Sequence, residues 1–132
     1  MSQQPVKSAK NILLVEDDSM IRMTFSLALQ LEDYTVFEAV NGKDALDFLA
    51  APPCQIGLIL LDSMMPIMDG FAFRAEQIKN EKLLAIPTIL YSANHSNELR
   101  AQALGVPFFK KPFDLPIIYD MVKKYFLSEN SS

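Results

Sequence analysis

Apolar and polar positions fall into two kinds of block along this chain. Short unbroken apolar runs end at acids, as in Ile12-Leu13-Leu14-Val15 before Glu16-Asp17-Asp18 and Leu58-Ile59-Leu60-Leu61 before Asp62. Such runs suit strands of a parallel sheet buried on both faces. The runs predict strands at Asn11–Val15, Thr35–Ala39, Gln55–Leu61, Pro87–Tyr91 and Phe108–Lys110. Between them, apolar residues recur every three or four positions, the helical period.

The first helix is predicted over Met20–Leu31, with Ser19 as N-cap. Its stripe runs through Ile21, Phe25, Ala28 and Leu29, widened by Leu27 and Leu31. After an Asn41-Gly42 turn, Lys43–Ala51 packs through Ala45, Leu46 and Leu49 and stops at Pro52-Pro53. A third helix, Phe71–Asn80, buries Phe71, Ala75 and Ile78, and Glu81–Ile86 is a connector. A brief fourth helix starts at Ser96 or Asn97, runs through Leu104 and closes at Gly105. Asp114 caps the last helix, Leu115–Leu127, which accepts Pro116 in its first turn. Five strand–helix alternations predict a doubly wound, flavodoxin-like α/β sandwich, its parallel sheet ordered 2-1-3-4-5. Residues 1–10 read as a flexible tail, 11–127 as one domain and 128–132 as a frayed end.

Composition narrows the possibilities. A formal charge of −4 counts against a nucleic-acid surface, which is normally basic. No apolar run reaches the roughly 18 residues that span a bilayer, and Met1–Lys10 lacks the apolar core of a signal peptide. One cysteine, Cys54, forms no internal disulfide. The expectation is a reduced, cytoplasmic protein that contacts neither membrane nor nucleic acid directly.

Candidate chemistry gathers at the carboxyl ends of the strands, where open α/β sheets bind ligands. Glu16 and Asp17 follow the first strand, Asp62 the third, Ser92 the fourth and Lys111 the fifth. With strands one and three adjacent, three carboxylates crowd together and repel. A divalent cation resolves that repulsion, and oxygen ligands beside a phosphoryl group favour Mg²⁺. Lys111 adds a compact positive charge, and Ser92 a hydroxyl that can donate to an oxyanion. Together these parts describe phosphoryl transfer to the Asp62 carboxylate. A lone acid after a strand is more often a helix cap or a solvated loop residue, and Asp18 is read that way. His95, the sole histidine, lacks the second soft ligand a zinc site needs and reads as a surface or capping residue.

Across Asn11 to Leu127 the chain resembles the receiver domain of two-component response regulators, including single-domain chemotaxis regulators. The matching stretches are Val15-Glu16-Asp17-Asp18 with Arg22, Asp62 with Met65-Pro66 and Met68-Asp69-Gly70, Ser92-Ala93, and Lys111-Pro112-Phe113. Asn41-Gly42 and Ala45-Leu46 fit as well. The resemblance implies that Asp62 is the phosphoacceptor, supplied by a histidine kinase or a histidine phosphotransfer protein. It implies Mg²⁺ held by Asp17, Asp62 and the Met64 carbonyl, with Glu16 acting mainly through water. Ser92 and Lys111 would contact the phosphoryl group, Phe108 would be the switch aromatic, and Lys111-Pro112 a cis peptide. Met64 and Asn94 occupy positions that tune phosphate lifetime. The chain departs from the family in having Phe108 where tyrosine or histidine is common, and in a short span from Ser92 to Lys111.

The expected output is a surface change around the fourth helix, fifth strand and last helix, read by a downstream protein or a second copy of the chain. The last helix carries Ile117, Ile118, Met121, Val122, Tyr125 and Phe126, which span more than one face. Three alternatives stand beside this switch. The chain could be a receiver excised from a hybrid kinase or longer regulator, or a phosphate-independent adaptor. A phosphoester hydrolase would need a general acid two residues after its nucleophile, where this chain has Met64, so the expectation is no multiple-turnover enzyme.

Overall fold

The computed structural model describes residues 10–92 and 98–110, with 119, 120, 122–124 and 126 beyond them; at 92, 98, 99 and 108–110 the description is of the backbone. Five strands, β1 (Asn11–Val15), β2 (Thr35–Ala39), β3 (Leu58–Asp62), β4 (Thr88–Ser92) and β5 (Phe108–Lys110), form one parallel sheet in the order β2-β1-β3-β4-β5. Among the described residues lie helices α1 (Ser19–Leu31), α2 (Gly42–Ala50), α3 (Gly70–Ile78), α4 (Glu81–Leu84) and α5 (Glu98–Ala103), and 119, 120, 122–124 and 126 are helical again. Because the single turn α4 lies in the expected connector, the fourth predicted helix is α5. No helix among the described residues is long and apolar enough to cross a membrane.

The apolar runs of β1 and β3 divide between two cores because successive strand residues face opposite ways. Leu13, Val15, Ile59 and Leu61 meet Ala45, Leu49, Phe71, Phe73 and Ala101 from α2, α3 and α5. Ile12, Leu14, Leu58 and Leu60 meet Leu29 of α1, Tyr34, Tyr91, and Val122 and Phe126 near the C-terminus. Leu58 to Leu61 are fully buried. At roughly 1.5–3 kcal/mol for each such side chain, β3 is the best-buried strand and fixes its own end in space. That end carries Asp62.

Several local expectations are corrected. Asp18, not Ser19, caps α1: its extended backbone lets its carboxylate accept from the Met20 and Ile21 amides, while Ser19 is already helical. Leu27 and Leu31 do not widen the buried stripe; they are 54% and 82% exposed, because α1 rests on the narrower line of Ser26, Ala28 and Leu29. Asn41-Gly42 is a helix start, with the Asn41 side chain accepting from the Asp44 amide. β3 begins at Leu58 and takes in Asp62, and β4 runs from Thr88 to Ser92, one residue beyond its expected end. Asp114, Pro116 and the start of the last helix lie outside the described residues; Val122 and Phe126 are buried in the core.

The largest correction concerns α3. Ile78 is exposed and Ala75 half-buried, whereas Phe73, Arg74 and Gln77 are buried. The two polar side chains are satisfied by a network. Arg74 donates to the Leu104 carbonyl (3.0 Å), the Gly105 carbonyl (3.1 Å) and Gln77 Oε1 (2.7 Å). Gln77 Nε2 donates to the Leu83 carbonyl (2.9 Å) and Thr88 Oγ1 (2.8 Å). The network joins α3 to α4, β4 and the end of α5. Arg100 of α5 also lies over the Phe71 ring, 4.0 Å from its centroid.

Candidate functional site

The site is built by neighbouring strands ending level with one another. Val15 is in register with Leu61, so the residues that follow, Glu16-Asp17 and Asp62, emerge side by side. Carboxylate oxygens of Glu16, Asp17 and Asp62 lie within 4.8 Å of one another. Glu16 and Asp62 are buried and Asp17 is exposed. At that separation, each pair of charges repels by roughly 3–4 kcal/mol at an effective dielectric constant of about 20. The cluster calls for counter-charge. Three hard oxygen donors, one open to water, fit Mg²⁺ better than a soft metal.

Glu16 is held from several sides, and Asp62 by the loop that follows it. The Glu16 amide donates to the Ala39 carbonyl, and Arg22 Nη1 donates to the Glu16 carbonyl at 2.9 Å, with its Nε paired to Glu38 at 3.0 Å. The Asp18 amide donates to Glu16 Oε2 at 3.1 Å. Tyr91 Oη donates to Glu16 Oε1 at 2.7 Å, a buried contact. The Met64 amide donates to Asp62 Oδ1 at 3.3 Å. Burial pushes the Tyr91 phenol well above its ordinary value, and the Glu16, Asp62 and Asp17 carboxylates add to the shift by opposing a second negative charge.

The loop after Asp62 is folded tightly. The Gly70 amide donates to the Ser63 carbonyl (3.0 Å), and a Cβ on Gly70 would lie 2.4 Å from the Asp62 carbonyl oxygen. Helix α3 can therefore start against the end of β3 only with glycine there. Asp69 caps α3 by accepting from the Ala72 amide. Between them Ile67 sits at φ 70° inside a three-residue turn closed by the Met68 amide on the Pro66 carbonyl (2.7 Å). The Met68 carbonyl in turn accepts from the Gly42 amide at 2.8 Å.

The sequence-predicted residues are thus placed unequally. Glu16, Asp17 and Asp62 come together. Met64 follows Asp62 in the loop, with its side chain 62% exposed. Ser92 closes β4 in register with Lys110, and Phe108 opens β5 in register with Leu90. Asn94, His95, Lys111 and Pro112 lie outside the described residues. Sequence reasoning missed Tyr91, read there as an ordinary strand residue. The signal was its parity: Tyr91 shares a sheet face with Ile89, Leu60 and Leu14, the face toward which the next even positions, Asp62 and Glu16, also point.

Comparison with known proteins follows the same lines. The sequence profile of the response regulator receiver domain matches residues 12–123. The chain is 32% identical over 120 residues to the transcriptional regulatory protein CrdR of Helicobacter pylori, an alignment covering 89% of this chain and 55%, about half, of that protein. It is 32% identical over 117 residues to the sporulation initiation phosphotransferase F of Bacillus subtilis, covering 88% of this chain and 93% of that one. The fold superimposes on the signal receiver domain of a signal transduction histidine kinase from Syntrophus aciditrophicus with a TM-score of 0.82 at 28% identity, covering 91% and 92% of the two chains.

Proposed function

Because this chain belongs to the response regulator receiver family, we propose that it is a phosphorylation-dependent switch with Asp62 as its phosphoacceptor. The observation that carries this reading is the meeting of Asp62 with Glu16 and Asp17 at the ends of β3 and β1. A phosphohistidine of a histidine kinase or phosphotransfer protein is the donor. An Asp62 oxygen attacks phosphorus, the P–N bond to imidazole breaks, and imidazole leaves with the bond's electron pair. The Met64 amide fixes Oδ1 of Asp62, which orients the carboxylate for attack. Asp17, Asp62 and the Met64 carbonyl would hold Mg²⁺, with Glu16 assisting through water. When bound, the ion would offset the negative charge of the phosphoryl oxygens. Ser92 and Lys111 take the remaining phosphoryl oxygens. Phe108 follows Ser92 inward, altering the surface of α5, β5 and the last helix for a downstream protein or a second copy.

This chemistry is a single transfer with slow self-dephosphorylation rather than turnover of a substrate, since Met64 supplies no general acid. Its partners place the protein in the cytoplasm. The exposed Met64 side chain and Asn94 set the lifetime of the phosphate. A receiver within a longer regulator or hybrid kinase is a second reading, favoured by the share of CrdR that the chain spans and by the likeness to a kinase receiver domain.

Incubation with a small phosphodonor and Mg²⁺, followed by intact mass, tests the assignment. One phosphate adduct is expected on the wild type and none on Asp62→Asn; no adduct with any donor would favour a phosphate-independent adaptor. Met64→Asn is expected to change the dephosphorylation rate severalfold, and equal rates would remove Met64 from the account.

A further inference from the structure

Tyr91 stands at a junction between the two acid-bearing strand ends. Its carbonyl accepts from the Ser63 amide at 2.9 Å, which ties it to the residue beside Asp62. Its side chain and that of Glu16 meet over β3, together bridging two strand spacings or roughly 10 Å. There the hydroxyl donates to Glu16 Oε1 at 2.7 Å, while the Asp18 amide holds Oε2 at 3.1 Å. The Tyr91 ring is fixed in turn by an edge-on contact with Phe25 of α1, centroids 5.9 Å apart. Tyr91 and Glu16 are each about 1% exposed, so water competes little for this hydrogen bond.

Glutamate needs such a device. Its side chain has one more rotatable bond than aspartate, and its carboxylate must stay beside two others that repel it. A neutral donor with a fixed ring holds the group in place and disperses its charge without occupying the outer face of the cluster.

We infer that Tyr91 is a positioning residue for the cation site, acting through Glu16 to set its affinity for Mg²⁺. This rests on the proposed reading that the acidic cluster holds Mg²⁺. Partners that orient a metal's ligands typically contribute about 10–100-fold to affinity, and a donor to an assisting ligand belongs at the low end.

The test is a Mg²⁺ titration by calorimetry on four forms of the chain: wild type, Tyr91→Phe, Glu16→Asp and the double variant. Phenylalanine keeps the ring contact with Phe25, and aspartate keeps the charge but falls short of the Tyr91 hydroxyl. Tyr91→Phe is expected to weaken Mg²⁺ binding about tenfold in the wild-type background, and less than twofold beside Glu16→Asp. An unchanged Kd for Tyr91→Phe overturns the inference. So does an equal loss in both backgrounds, which would mean that Tyr91 acts through packing rather than through Glu16. A second readout needs no variant. The Tyr91 ring-carbon resonance next to the hydroxyl should shift as Mg²⁺ is added to the wild type, with the calorimetric midpoint; no shift counts against the inference. A wild type that binds no Mg²⁺ overturns the cation reading itself, and the inference with it.

Discussion

Helix α1 leaves Met20, Met23, Leu27 and Leu31 more than half exposed, while α3, on the other face of the sheet, buries Arg74 and Gln77. The two helices depart from the apolar-inside pattern in opposite directions. An exposed leucine is tolerated, since it forgoes a gain and breaks no bond. A buried guanidinium is tolerated only when its donors find acceptors. Arg74 finds two carbonyls at the end of α5 and the Gln77 side chain. What a helix buries is thus decided by what its neighbours present. α1 touches the core along a narrow line through Ser26, Ala28 and Leu29; α3 meets unfinished backbone and needs donors.

The contrast predicts unequal consequences. Arg74→Leu should have the largest effect, because it strands the Leu104 and Gly105 carbonyls and the Gln77 oxygen. At roughly 1–3 kcal/mol for each buried group left unsatisfied, a net loss of about 2–4 kcal/mol is expected from urea unfolding. A loss under about 1 kcal/mol would show that water replaces the arginine. On α1, Leu27→Gln should change stability by no more than about 0.5 kcal/mol in the same assay. A loss of 1.5 kcal/mol or more would mean that the face is covered in solution, and would dissolve the contrast. The smallest effect belongs to Tyr34, at the foot of α1. Burial and the Glu32 carboxylate raise its phenol above 10.0. The folded state therefore favours the protonated form, so this stability is fully present below about pH 10 and is lost as pH rises through the raised value. Tyr34→Phe should reduce the drop in urea midpoint between pH 9 and pH 11 and leave pH 7 unchanged; an undiminished drop would assign the alkaline sensitivity elsewhere.

The same contrast explains what the sequence could and could not reveal. The four-residue apolar runs of β1 and β3 announced a sheet covered on both faces, and the acids after them announced its working edge. Both follow from periodicity within one segment. The Tyr91–Glu16 bond does not, because it depends on the register of three strands whose residues lie 75 positions apart. Arg74 and Gln77 were hidden for a related reason: polar residues on a helix are assigned to water unless the acceptors opposite them are known. Asp18 was legible as a cap or loop acid apart from Glu16 and Asp17, but Ser19 beside it is an equally good capping type. The backbone separates them, extended at Asp18 and ready to cap.

Ile67 adds a last consequence. A β-branched residue at positive φ lies uphill of its preferred wells by about 1–3 kcal/mol. It is kept there by the turn across Pro66 and Met68 and by the seam from Met68 to Gly42. That seam has no room for a side chain, since a Cβ on Gly42 would lie 2.9 Å from the Met68 carbonyl oxygen. The segment joining β3 to α3 is therefore a strained joint, latched onto the start of α2. Loosening the latch would let Ile67 relax downhill, so the loop after Asp62 and the start of α2 hold their shape as one unit.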